Sequence, residues 1–399
     1  MVKSLRDFKQ LHLIKRFMAL DTNRKAQAII FVALVGLTLL IRLSLRHVQT
    51  SDYIGFLNPW IEHMKQFGIA GIGNINSNYN APYLILLWIV GHLPFSNLFS
   101  VKLISIIFDY ILAGSVFLVV RFYKPIGITK YVSFLAILFA PTVIINGSLW
   151  AQCDVIYTSF IVLSFYAFLK NRLHTSWILW GISFAFKLQS VFFLPFLLFG
   201  LFYKKRGFLG PIYAAAVIVA LSILPMFYGR SLADVINVYV SQTSPNGDGQ
   251  YFVLFAPTIF QIFTISSIEP VRKAMILIAG SFALGLASLA FLRKFNAKSV
   301  LILAVLIVLS LPFLLPQMHE RYFYVAEIFL IMAACIIPKL IIPAIGMQVI
   351  TVMSYIPYLS GYNQGPGVPY VYLALAVLSM IVYLIYLLYK STQRLEVKA

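Results

Sequence analysis

Val300–Leu315 reads VLILAVLIVLSLPFLL, sixteen residues without a charge. Ala26–Ile41 (AQAIIFVALVGLTLLI) and Ile276–Leu292 (ILIAGSFALGLASLAFL) repeat the pattern. Runs of this length with no ionisable residue are what a helix needs to cross hydrocarbon, and they recur down the chain. Over all 399 residues, 61% are hydrophobic and 11% charged, against about half and a quarter in a soluble domain. A soluble globular fold and a disordered chain are both excluded. The expected class is an all-α, polytopic membrane protein.

The 31 basic and 12 acidic residues leave a net charge of +19, which acquires meaning once the charges are placed relative to the bilayer. Lys3, Arg6, Lys9, Lys15, Arg16, Arg24 and Lys25 crowd the tail 1–25, so the positive-inside rule makes that end cytoplasmic. A consistent path follows, with crossings at about 26–46, 98–122, 131–149, 154–170, 176–188, 190–204 and 208–228, then five more that end inside at Lys390, Arg394 and Lys398. It has twelve crossings, with long outer loops at 47–80 and 229–270. Residues 81–95, bracketed by Pro82 and Pro94, read as a re-entrant or interfacial helix; if they cross instead, one of the two short segments around Lys187 should not, and thirteen crossings result only if all of them do. On this path 22 of the 31 basic residues and only Asp7, Asp21 and Glu396 among the acids face the cytoplasm. The basic excess is therefore a topology signal and an attraction to anionic lipid headgroups, not a nucleic-acid footprint. No cleavable signal peptide is expected, because the first apolar stretch is of full spanning length and lacks a cleavage site. The two cysteines, Cys153 and Cys335, cannot make a disulfide framework or a four-ligand zinc site. No internal repeat or linker divides the chain, so residues 1–399 read as one domain.

Polar groups in hydrocarbon are costly, which makes the ionisable residues at membrane depth functional candidates. Four clusters lie at outer helix ends. The first contains Asp52-Tyr53, Trp60, Glu62-His63-Met64 and Asn78-Tyr79-Asn80-Ala81-Pro82-Tyr83. The spacing of Trp60, Met64 and Phe67 predicts an amphipathic helix on the membrane surface. Asp52 sits at the boundary, either functional or capping the helix after it. The second is Asn146-Gly147-Ser148-Leu149-Trp150-Ala151-Gln152-Cys153-Asp154, where Asp154 is a site residue or an N-cap. The third is Lys187-Leu188-Gln189 between two helices too short to span, so both side chains should lie below the surface in a cavity unless Lys187 snorkels. The fourth is Met318-His319-Glu320-Arg321-Tyr322, followed by Glu327; its arginine suits an anionic headgroup, or a local pair with Glu320. Asp109, with Lys102 two turns away on the same face, reads as polar glue between helices or as a functional group. All four clusters face one side under a topology taken from Lys and Arg alone. They imply one polar cavity open to the outside and roofed by 47–80 and 229–270. No H-E-x-x-H spacing marks a metal site.

These residues, in this order, resemble the GT-C glycosyltransferases, which use polyprenyl-phosphate-sugar donors. The similarity is to bacterial proteins related to the GPI mannosyltransferases and, more distantly, to the dolichyl-phosphate-glucose-dependent glucosyltransferases. It rests on Asp52-Tyr53 after the first helix, Tyr79-Asn80-Ala81-Pro82-Tyr83, a W-x-Q-x-D at Trp150–Asp154, a K-x-Q at Lys187–Gln189 and an M-H-E-R-Y at Met318–Tyr322. It covers roughly residues 25–335. Asn80-Ala81 stands where relatives often have two prolines, and Cys153 where an aromatic or small residue is usual.

The resemblance implies a GT-C fold and one inverting displacement at the anomeric carbon, moving a hexose to a glycan or glycolipid acceptor outside a bacterial plasma membrane. Asp52 would be the general base. Arg321 and His319, with Lys187 as a second cation, would stabilise the leaving lipid phosphate. Asp154, Gln152, Trp150, Gln189, Glu320, Tyr53 and Tyr79 would complete the sugar and acceptor contacts. No cofactor and no metal is implied, and the partners are the lipid-linked donor, the acceptor and membrane lipids. Two other readings compete. A flippase for lipid-linked glycans should show interrupted helices in matched halves. A polysaccharide polymerase should carry several arginines in a large outer loop, whereas 229–270 holds only Arg230.

Overall fold

A computed structural model describes residues 22–242, 253–263, 268–361 and 369–394. Most of the basic tail 1–25 and the terminal Lys398 lie outside them. The described chain is helical apart from two pairs of two-residue strands. Contacts divide it into two units, Met1–Leu45 and Arg46–Ala399. The described part of the first is essentially the 23-residue helix Thr22–Ser44, in which Arg42 Nη1 donates to the Thr38 carbonyl at 3.1 Å.

Among the described residues, seven helices are long and apolar enough to cross a membrane, and eight if Thr129–Leu138 and Pro141–Leu149, bent by 43°, form one span. Large apolar side chains stand exposed on several of them: Val32 (68%), Leu277 (71%) and Ile342 (83%). Water would not tolerate that surface, and lipid does. The protein is an all-α polytopic membrane protein that contacts membrane lipid.

Inside the larger unit the helix Ala297–Leu314 is buried over nearly all of its length, which is why it is apolar on every face. An Asn296/Ser299 capping box starts it. Neighbouring helices are joined by small and polar residues. Ser164 Oγ donates to the Ser176 carbonyl at 2.7 Å while Ser176 Oγ returns the bond to the Ser164 carbonyl at 2.9 Å, pairing Asp154–Leu169 with Leu173–Phe186. A Cβ at Gly181 would stand 2.9 Å from the Ala214 carbonyl oxygen, so the helix Gly210–Ser222 packs at glycine distance.

The expected crossing 131–149 is not one straight helix. It stops at Leu138, because Ala140 before Pro141 leaves the helical region (φ −60°, ψ 123°), and the chain restarts at the proline. Ile144–Leu149 is then wound as a π-helical turn. Ala151, at φ 65°, reverses the chain into the helix Asp154–Leu169. A second break falls at Lys187, extended between the helix Leu173–Phe186 and the 3-10 segment Leu188–Phe193. Gln317, at φ 61°, makes a third turn before Met318. Ala151 and Gln317 are not glycines, and their left-handed backbones are strain of the kind that collects at functional sites.

The two long loops are folded. The first holds the helix Asn58–Phe67, whose Trp60, Ile61 and Met64 are buried while Phe67 is exposed, so its apolar face packs against protein. Trp60 Nε1 donates to the Asn76 carbonyl at 3.0 Å. The segment 81–95 forms the eleven-residue helix Ala81–Gly91, about 16 Å long and too short to span. In the second loop Arg230 Nη2 donates to the Ile75 carbonyl (2.7 Å) and Gln242 Nε2 to the Asn78 carbonyl (3.1 Å). Its strand Val253–Leu254 pairs in parallel with Met318–His319. The second loop is thus stitched to the first and to the fourth cluster. The stretches 243–252 and 264–267 of this expected roof fall outside the described residues.

Candidate functional site

Asp52 does not cap a helix. Its backbone is already helical, and its side chain makes no capping bond to the turn Tyr53–Leu57. The buried carboxylate instead receives, among the described residues, four donors from distant parts of the chain. Oδ2 accepts from Trp150 Nε1 at 2.9 Å, from Gln152 Nε2, and from Arg321 Nη1 at 3.3 Å. Oδ1 accepts from the hydroxyl of Tyr358. The backbone around Asp52 is tied down as well: Lys102 Nζ donates to the Val48 carbonyl at 2.6 Å and Thr50 Oγ1 to the Trp150 carbonyl at 3.2 Å. Trp150 is fully buried, stacked on Tyr358 (4.9 Å between centroids, 29°) and edge-on to Tyr355 (5.3 Å). Arg321 Cζ lies 5.3 Å from the centre of its ring.

A second buried carboxylate lies across the same turn. Asp154 is the first residue of its helix, and Cys153 is the N-cap. Asn146 Nδ2 donates to Asp154 Oδ2 at 2.9 Å, and Lys187 forms an ion pair with Oδ1. Lys187 is buried and does not snorkel; its ammonium lies 5.6 Å from the Tyr157 ring centre and 5.9 Å from that of Tyr79. Gln152 ties Asp52 to the helix Asn97–Tyr123, since Ser105 Oγ donates to its carbonyl at 2.8 Å. Gln189 is buried close by in sequence, and its Oε1 has no hydrogen-bond partner among the described residues.

The fourth cluster lies in the connection after Leu314. Glu320 is fully buried, with Oε1 3.6 Å from Arg321 Nη1 and Oε2 3.9 Å from His319 Nδ1. Burial pushes its carboxyl up to about 7, against the pull of Arg321. Burial first, then the charges of Arg321 and Lys187, hold the His319 imidazole well below its ordinary value. His319 is therefore neutral at pH 7 and offers an anion one N–H, not a charge. The cations of the site are Arg321 and Lys187.

A cavity of about 60 Å³ opens among Asp52, Trp60, Tyr79, Tyr83, Gln152 and Arg321. That is room for a few waters and far short of the several hundred Å³ of a ligand pocket.

Of the expected site residues, Asp52, Trp150, Gln152 and Arg321 form one network and Asp154 and Lys187 a second. Tyr79 lines the cavity beside one and faces the ammonium of the other, and Glu320 and His319 join through Arg321. Tyr53 turns away, its hydroxyl bonded to Asn58 Oδ1 at 3.0 Å. Asp109 packs against Gly147, where a Cβ would lie 3.4 Å from its Oδ1. Glu327 belongs to a separate cross-link: Gln348 Nε2 donates to its Oε2 at 3.3 Å, and Thr142 Oγ1 donates to Gln348 Oε1 at 3.0 Å. Tyr358 and Asn146 bind the two carboxylates but were given no role by the sequence reading. Asn146 stands inside the quoted second cluster, and Tyr358 shares with Tyr355 the end of the helix Ile341–Leu359. Among the described residues no three His, Cys, Asp or Glu side chains gather as metal ligands.

No protein-family model matches the chain, and no curated protein matches it.

Proposed function

We propose that the protein is a glycosyltransferase of the GT-C type that moves a hexose from a polyprenyl-phosphate-sugar to a glycan or glycolipid acceptor outside the membrane, with inversion. The observation that carries this reading is the convergence on Asp52 of a cation from one polar cluster and two donors from another. A buried carboxylate beside an arginine supplies both halves of an inverting displacement. The acceptor O–H gives its proton to Asp52 as its oxygen bonds to the anomeric carbon. The bond from that carbon to the lipid phosphate breaks, and the phosphate leaves with the electron pair toward Arg321, with Lys187 as a further cation. While Arg321 holds Asp52, the base is masked. An incoming phosphate, the stronger competitor for a guanidinium, draws Arg321 off and frees it. Donor binding would then arm the base.

In this reading the chain makes twelve crossings: the eight spans above and the shorter helical stretches Asp154–Leu169, Leu173–Phe186, Leu188–Lys204 and Tyr324–Ile336. Both termini are cytoplasmic and the site faces outward. Arg121, Lys170, Lys204 and Lys205 stand at the ends of helical stretches whose opposite ends carry Lys102, Asp154 and Lys187, which supports that orientation.

The test is a transfer assay in liposomes. Wild type and Asp52→Asn receive polyprenyl-phosphate-linked glucose, mannose, galactose and N-acetylglucosamine with a membrane-glycan extract, and mass spectrometry follows each donor. Consumption of one donor by the wild type alone is the expected result. Folded wild type that consumes none, or Asp52→Asn that keeps most of the activity, overturns the reading.

A further inference from the structure

Asp52 is held asymmetrically. Among the described residues its Oδ2 takes three donors, Trp150, Gln152 and Arg321, while Oδ1 takes one, the Tyr358 hydroxyl. A carboxylate oxygen has about two lone-pair sites. Oδ2 is filled even after Arg321 departs to a phosphate, because Trp150 and Gln152 remain. Oδ1 has one position used and one open. From this geometry we infer that Oδ1 of Asp52 is the atom that takes the acceptor's proton, and that Tyr358 is the positioning residue that aims it. The inference rests on the reading of Asp52 as the base.

Tyr358 is suited to the task. The carboxylate torsion of an aspartate is broad and soft, so donors on one oxygen alone leave its plane free to swing. A donor on the other oxygen fixes the plane and with it the direction of the open lone pair. Tyr358 is itself held, because its ring stacks on Trp150, whose indole N–H grips Oδ2 of the same carboxylate. Tyr358 is absent from the lining of the small cavity, whereas Asp52 is part of it. The tyrosine therefore steadies the carboxylate without occupying the space a substrate would need. In the step itself the acceptor proton passes to Oδ1, the new bond to the anomeric carbon forms, and the lipid phosphate departs with its electron pair. Tyr358 keeps its own proton throughout.

Tyr358→Phe removes the hydroxyl and keeps the ring on Trp150. With the donor that the wild type consumes, its kcat should fall by roughly tenfold to a hundredfold, as expected for losing one hydrogen bond to a charged group. The donor KM should stay at the wild-type value, and the melting temperature should fall by no more than the few degrees that one such bond accounts for, with the protein still folded at the assay temperature. Tyr358→Leu, which also loses the stack, should lower the melting temperature as well. Wild-type kcat in Tyr358→Phe, with Asp52→Asn inactive, overturns this inference and leaves the proposed function standing. A kcat loss matched by a loss of folded protein or by a raised donor KM also overturns it, since that is a packing role. Activity in Asp52→Asn removes the base assignment, and the inference falls with it.

Discussion

Asp52 Oδ2 and Arg321 Nη1 lie 3.3 Å apart, although 269 residues separate them in the chain. If a donor phosphate must take Arg321 from Asp52, neutralising the aspartate should favour the donor. Asp52→Asn is expected to bind a polyprenyl-phosphate-sugar at least as tightly as the wild type while failing to transfer it. Arg321→Ala should weaken donor binding by about tenfold or more, the scale of one charge-assisted contact. Both are read by titrating labelled donor in nanodiscs. Donor affinity that falls in Asp52→Asn, or holds in Arg321→Ala, would show that the pair does not compete with the phosphate.

The Asp154–Lys187 ion pair is a second buried pair, with side-chain exposures of 0% and 8%. Removing one partner leaves a buried charge uncompensated, at a cost of about 3–5 kcal/mol. Lys187→Met alone should therefore lower the melting temperature in detergent sharply, and Asp154→Asn in the same chain should restore much of it. Two independent, additive losses would mean that the ion pair contributes little.

The helices were legible because apolar runs in a membrane protein leave few alternatives. The clusters were legible because a polar residue at membrane depth stands out. What joins them was not. Asp52 followed by a helix reads locally as a cap, and nothing near it in sequence announces Arg321 or Tyr358. A tyrosine at a helix end reads equally well as an interfacial aromatic. The break in the third crossing has a signal in Pro141 that the expectation of one crossing over 131–149 passed over; the π-helical turn after it has none, and nothing about Ala151 or Gln317 predicts a left-handed backbone. The pairing of Val253–Leu254 with Met318–His319 is two residues long, too short to leave an alternating pattern.

Glu320 gives the site a pH signature. Burial raises its carboxyl to about 7, whereas the unfolded chain releases that proton near 4.3, about the ordinary value for glutamate. Between these values the folded protein holds a proton that the unfolded chain has lost, so stability falls as pH rises through the window and is fully reduced above it. Glu320→Gln cannot ionise. Its melting temperature, set against that of the wild type, should show the smallest difference near pH 4.5 and a growing relative gain toward pH 7.5. A constant offset across that range would mean that the group does not titrate there.

The first outer loop meets the end of the crossing 208–228 at Gly73, where a Cβ would stand 1.9 Å from the Tyr228 carbonyl oxygen and 2.7 Å from its carbon. The obstacle is backbone, so no rotamer change relieves it, and Gly73→Ala must push the first loop away from the segment Leu224–Tyr228. That shift strains the Arg230–Ile75 bond a few residues on, and Ile75 leads directly to Tyr79 on the cavity wall. Transfer should therefore drop well below wild type while the membrane helices stay folded. Gly114→Ala is the matched control: it lies inside the helix Asn97–Tyr123 with nothing within 4 Å of the added methyl. There the methyl should be neutral or stabilising by about 0.5–1 kcal/mol, because a helical glycine costs entropy on folding. Equal activity in the two variants would separate the loop contact from the site. A loss confined to Gly73→Ala would tie the seating of the second loop to the chemistry at Asp52.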